Sequence, residues 1–423
     1  MANPVPLLIS LYSFAKQRKH DLSASLSNKN LADIGYILEN SAHSGFTGQS
    51  ITNLLLSIVY LHGTWKDMQE VRLDQLLLDA IQRNATQFSA QGIANTLWAL
   101  AHLSFTWESL QEQQLARSLQ QAIQRNITYF NSQDVANTLW ALAQLGLTWQ
   151  DMQRMQLDQP VLEAIRRNVT AFKAQDLTNT LRALAQFGFS WHDLQQQQIT
   201  QPLLTAIHHN AAWFNHRHTT NALWALAQLG LSWQAIKQRH MDQLLVNAIA
   251  RGITEISPIG TGYTLWALAR FDLTWHDIQA MQLDQALLAA IHHNATRLSP
   301  QGIANTIWAL AQFGFSWQAI QQAQLAQPLM DVISHNAAKF NRETIVQLQQ
   351  TAFWPQLPLP TVKELFATVL AQPTKLPLTA SHKTIFKPTL AALNPHRLFT
   401  RSAGLLSDAN PAANDRKTKQ FTH

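Results

Sequence analysis

Through NTLWALA at 137–143 apolar side chains recur three and four positions apart, the period of an amphipathic helix. The phrase runs on as NTLWALAQLGLTW to Trp149, and close copies stand at 95–107, 179–191, 221–233 and 305–317. The closing tryptophan falls at Trp65, Trp107, Trp149, Trp191, Trp233, Trp275 and Trp317, each 42 residues after the last. A fixed period of that size is the mark of a solenoid, in which no unit buries its apolar face alone and stacking builds the core. The pattern predicts an all-α fold, a right-handed α-solenoid of about seven 42-residue repeats over 48–341. Helical caps are expected at 1–47 and 342–371.

Polar punctuation predicts where each helix starts and stops. Ser89, Asn131, Lys173, Asn215, Ser257, Ser299 and Asn341 precede the long helix, and most are good N-caps. Gly146, Gly188, Gly230 and Gly314 stand where it must end, with Ser104 or Asp272 in their place elsewhere. Thr or Ser then precedes the closing tryptophan, and Asp67, Asp151, Asp193 and Asp277 lie three residues on, predicting capping boxes on a short helix. A third helix ends at Asn84, Asn126, Asn168, Asn210, Gly252, Asn294 and Asn336. The exchange of Asn for Gly there predicts left-handed backbone.

Composition narrows the chemistry. The 423 residues contain no cysteine, which removes disulfides, thiolate nucleophiles and Cys-based metal sites. No apolar run reaches the ~18 residues of a membrane span, and no positive charge precedes the short apolar run near the N-terminus, as a secretory signal would need. A cytoplasmic protein is expected, with delivery into a host cell as the alternative destination. The net charge of +6 belongs to residues 372–423, which hold eight Lys and Arg against two Asp; the tail is expected to be disordered.

Two repeating columns are candidate binding residues. On a helical wheel Asn95, Asn137, Asn179, Asn221 and Asn305 point away from the apolar side. Trp98, Trp140, Trp224, Trp266 and Trp308 sit at its edge, and Arg182 takes the tryptophan's place in repeat four. Stacked repeats would align them along one face, and a base-stacking surface accepts either Trp or Arg. Packing between neighbouring repeats is the other reading. The second column ends the third helix: Arg83, Arg125, Arg167, His209, Arg251, His293 and His335. Beside it lies a varying polar position that includes Arg166, His208 and His292. Even cations next to varied side chains suit phosphate holders beside base readers. A cation in a last helical turn also complements the helix dipole.

Adjacent helical histidines point about 100° apart, so His208–His209 and His292–His293 predict no metal site, and no cofactor is expected. No HExxH, GxSxG, GxxxxGK[ST] or GxGxxG occurs, which argues against an enzyme.

The repeated Asn-x-x-Trp-Ala-Leu-Ala core resembles the octotricopeptide-type repeats of organellar RNA-processing proteins. It is also similar to the helical arrays of FAST-kinase-domain proteins, and closer still to a repeat of unknown function from bacteria that live inside eukaryotic cells. The resemblance covers about 48–341 and implies an α-solenoid that binds single-stranded RNA; a monomer is expected. Against RNA stands the charge of the array, with 17 basic and 18 acidic side chains over 48–341. A protein-interaction scaffold, holding a peptide or helix in the same groove and acting as an effector in a host cell, is therefore the alternative.

Overall fold

The computed structural model describes residues 3–356 apart from 20, 22, 44 and 352, and residues 364–370 apart from 365 and 368. The described residues contain helices and no strand. They form an all-α repeat solenoid and fall into two compact bodies, the first ending at Ile123 and the second beginning at Gln124.

One repeat shows how the sequence builds the others. The long helix spans Ser132–Gln144 and the short helix Trp149–Arg154. The closing helix spans Asp158–Asn168 and runs into a 3-10 turn at Val169–Ala171. Asn131 accepts from the backbone N–H of Asp134, and Thr148 accepts from Asp151 while the Asp151 carboxylate takes the Thr148 N–H at 2.8 Å. These are the expected capping boxes, each worth about 1 kcal/mol. After the long helix Gly146 adopts φ +86°, and Ser104 and Asp272 hold the same left-handed conformation at greater strain.

Two expectations fail for physical reasons. The residues that end the closing helix are not left-handed: Asn168 has φ −106° and Gly252 φ −99°. The asparagine is there for its side-chain amide, which donates to the carbonyl four residues back and to the preceding repeat. Asn168, Asn210 and Asn294 reach the carbonyls of Phe130, Phe172 and Ile256 at 3.0 Å. Glycine replaces it at 252 for space, because a Cβ there would lie 2.8 Å from the His216 Cα.

The long helix is also not two-faced. Asp134–Ala143 are all buried, with the next long helix, Ala174–Gln186, and the closing helix Asp158–Asn168 both packed on it. Gly262 and Gly302 let two long helices approach so closely that a Cβ on Gly262 would sit 3.0 Å from the Gly302 Cα.

The closing tryptophans tie repeat to repeat in the second body. The backbone N–H groups of Trp149, Trp191, Trp233 and Trp275 donate to the carbonyls of Phe187, Leu229, Phe271 and Phe313 in the next repeat. The indole of Trp149 lies 4.5 Å from the Phe189 ring, and that of Trp275 lies 4.7 Å from Phe315.

Helices Val5–Arg18 and Asn28–Glu39 precede the first repeat. After the last, Arg342–Gln349 starts like an eighth long helix, and Phe366 packs its ring against Phe340 and Trp354. The proposed tail from 372 lies outside the described residues.

Candidate functional site

The two candidate columns have opposite surroundings. Trp140, Trp224, Trp266 and Trp308 are buried, as are Asn137 and Asn305, while Asn179 and Asn221 are half-buried. The expectation of an exposed stacking ladder is therefore corrected for these residues: the column lines the seam between adjacent long helices. In the first body Trp98 is half-buried, with the His102 ring 3.7 Å away and Tyr60 at 6.4 Å, and Asn95 is half-buried too.

Arg182 shows why the column admits a cation. Only 3% of it is exposed, and it pairs with no carboxylate among the described residues. Its Nη1 donates to the Asn221 Oδ1 at 3.0 Å, and the guanidinium lies 5.0 Å from the centre of the Trp224 ring. Tyr263 lies on the same guanidinium at 5.9 Å. Burial pushes the Arg182 pKa down and the Tyr263 hydroxyl opposes that shift. Flat aromatic faces replace the missing counter-ion, so the Trp-to-Arg exchange reports packing between repeats. Asn305 is likewise an interior acceptor, taking a bond from Gln347 at 3.0 Å.

The cationic column stays at the surface. Arg125, Arg167, His209, Arg251, His293 and His335 are exposed in the second body, and so is Arg83 in the first. Several also brace the stack. Arg167 and Arg251 donate to the carbonyls of Ile127 and Ala211, the first residues of the preceding 3-10 turns, at 2.9 and 2.7 Å. The neighbouring position reaches the other way: Gln124, Arg166 and His292 bond to carbonyls that end the next short helix, at Met155, Gln197 and Ala323. Arg83 donates to the Ser41 Oγ at 2.7 Å. His208 is exposed and bonds only within its own helix, to the Leu204 carbonyl.

These contacts set the end of each closing helix against the 3-10 turn before it, making a ridge along the second body. Charge is sorted between that ridge and the rest. From the last turn of each closing helix to the first turn of the next long helix there are nine Lys and Arg (Arg125, Arg166, Arg167, Lys173, Arg217, Arg251, Arg297, Lys339 and Arg342). Four carboxylates share those segments. Asp134 and Asp176 are buried as caps, leaving Glu255 and Glu343 exposed. From each short helix to the first turn of the next closing helix the balance reverses, with Arg154, Lys237 and Arg239 against six carboxylates. Near-neutral totals conceal a one-sided arrangement, which the closing helices that start at Asp158, Asp242 and Asp284 follow along their dipoles.

Sequence reasoning missed two ridge features. Tyr129 and Trp213, each ending a 3-10 turn, are 78% exposed, more than any other large apolar side chain described. His218 receives the Asn215 N–H on its Nδ1 at 3.4 Å; burial first, then Arg217 and His216, hold its pKa down to about 4. Among the described residues no group of three His, Cys, Asp or Glu could hold a metal, and no helix is long and apolar enough to cross a membrane.

Fold and ridge together define an all-α repeat protein whose conserved-looking aromatic refrain is structural and whose variable, basic edge faces outward. The chain belongs to the DUF1601 family, described as a protein of unknown function, which matches residues 64–97, 105–139, 145–181, 187–223, 229–258, 272–307 and 313–348. Each matched segment begins at or near a short helix and crosses the following closing helix and 3-10 turn, so the ridge lies inside the family's unit. A search of curated proteins gives no match.

Proposed function

We propose that this protein is a non-catalytic holder of single-stranded RNA, bound along the basic ridge of the second body. One observation carries the reading: nine Lys and Arg stand on ridge segments that expose only two carboxylates, in a body whose total charge is near zero. Phosphate binding depends on local cation density and on the counterions released, and a sorted surface supplies both without a high net charge. The resemblance of the Asn-x-x-Trp-Ala-Leu-Ala core to organellar RNA-processing repeats supports the same reading, and the place of action we propose is a cytoplasm, the cell's own or a host's. The overall charge balance favours a protein partner, but it loses that force once the charges prove to be segregated.

The test uses the full-length chain with its eight tail Lys and Arg changed to Gln, so that the tail cannot bind phosphate. Affinity for a random single-stranded RNA pool is measured at several salt concentrations. Adding Arg125→Gln, Lys173→Gln and Lys339→Gln should lower the slope of log affinity against log salt by about two, at ~0.7 per lost phosphate contact. An unchanged slope, or no binding by the parent chain, contradicts the ridge reading; capture of a peptide in place of RNA would point to the scaffold alternative.

A further inference from the structure

One position on the ridge is occupied differently in every repeat. The last residue of the 3-10 turn is Tyr129, Ala171, Trp213, Glu255, Arg297 and Lys339 in the second body and Gln87 in the first. All seven are exposed. Their neighbours barely change: the next residue is Phe, Ile or Leu and buried throughout, and the residue two before is Ala, Ile or Val and buried throughout. The backbone therefore presents the varying side chain from the same mount each time, with the same turn behind it.

Plain surface drift favours small and polar residues, because an exposed aromatic ring gains nothing from folding. Here two of the seven are the most exposed large apolar side chains described. Each also has cationic company one helical turn away in sequence: Arg125 four residues before Tyr129, and His209 and Arg217 four residues either side of Trp213. An aromatic face next to phosphate-binding cations suits an unpaired base, whose faces are free, and cannot be used by a base within a duplex stack. The other members of the column offer edge chemistry. The Glu255 carboxylate can accept from a base amino group, and the Arg297 guanidinium can donate to the O6 and N7 of guanine.

We propose that this column gives the ridge its selectivity among RNA sequences, with Tyr129 and Trp213 stacking on unpaired bases and Glu255 and Arg297 addressing base edges. The proposal rests on the ridge being an RNA surface. It replaces the polar position at Gln124, Arg166 and His292 as the reader, since those side chains bond to carbonyls of the next repeat, whereas Arg297 bonds to the His293 carbonyl and Asn294 Oδ1 of its own repeat and Glu255, 77% exposed, stands 3.6 Å from the His216 Nδ1.

The experiment compares full-length wild type with three variants whose changed side chains are exposed: Tyr129→Ala/Trp213→Ala, Glu255→Ala/Arg297→Ala, and Lys173→Gln. Each is equilibrated with a random-sequence single-stranded RNA pool and with the same pool annealed to its complement. Bound RNA is sequenced and affinity is followed against salt. Wild type should enrich a subset of single strands. The aromatic pair should cost roughly ten-fold or more in single-strand affinity with the salt slope unchanged. The Glu255/Arg297 pair should change which sequences are enriched, and Lys173→Gln should weaken all sequences alike and lower the slope. Binding without enrichment, with the aromatic variant equal to wild type, overturns the proposal while leaving the ridge intact if Lys173→Gln still lowers the slope. No binding by wild type removes both.

Discussion

The long-helix tryptophans and the closing-helix ridge share one period of 42 residues and end up in opposite environments. The tryptophans lie in the seam between long helices, where even Arg182 is 3% exposed; the ridge carries Trp213 at 78%. Recurrence alone therefore does not separate packing from recognition in a repeat protein. A residue repeats because every repeat needs it, and stacking is a need that all repeats share. A partner with changing chemistry along its length asks for the opposite, a fixed mount with a changing side chain, and only the ridge offers that.

The largest expected effect would break this comparison most plainly. Trp224→Ala should cost ~3–5 kcal/mol of unfolding free energy, as removal of a buried aromatic does, whereas Trp213→Ala should stay within ~0.5 kcal/mol. Denaturant midpoints and slopes for both variants measure it. Equal losses would put the two tryptophans in equivalent settings and end the distinction.

The period, the caps and the helix order were legible in the sequence because each rests on local chemistry: a short side-chain oxygen before a helix, a glycine after it. The environment of the tryptophans was not. A helical wheel assumes one buried face, but Ser132–Gln144 packs on both Ala174–Gln186 and Asp158–Asn168, and Trp140 and Asn137 fall inside. The Asn-for-Gly exchange misled because two different demands, an amide at Asn168 and bare space at Gly252, produce the same substitution. The column through Trp213 had a signal in plain view, seven different residues between near-constant neighbours, yet apolar periodicity gives no measure of exposure.

The next effect sits where interior and ridge meet. His218 ordinarily titrates near 6.5, but in the folded chain its pKa is about 4. The unfolded chain then binds more protons between those values, so stability is full above pH 6.5 and falls as pH drops toward 4. The loss is expected to be about 3 kcal/mol, and His218→Asn should flatten that part of a stability-against-pH curve. If the variant keeps the full slope, another group is responsible.

Smaller effects sharpen the picture at the helix ends. Thr148→Ala removes an N-cap just before a tryptophan that ties two repeats and should cost about 1 kcal/mol, read from thermal melts. Removing the Asp151 partner in addition should cost little more, since both belong to one capping box. Smallest is a gain. Gln156 ends a short helix at φ 55° and is exposed, and a left-handed residue recurs at that place in every repeat without ever being glycine. Gln156→Gly should stabilise by ~0.5–1 kcal/mol, relief of left-handed strain outweighing the added backbone entropy; a loss would show that Gln156 makes a contact worth more than its strain.

The central claim, that the ridge and not the tryptophan seam meets the partner, is tested most directly by ultraviolet crosslinking of the full-length protein to single-stranded RNA, with the attached residues mapped by mass spectrometry. The account predicts attachment within 124–134, 208–218 and 292–302, including Tyr129 and Trp213, and none on Trp140, Trp224, Trp266 or Trp308. Attachment confined to the tail beyond 371, or to the short helices that carry Asp151, Asp193 and Asp277, would contradict it.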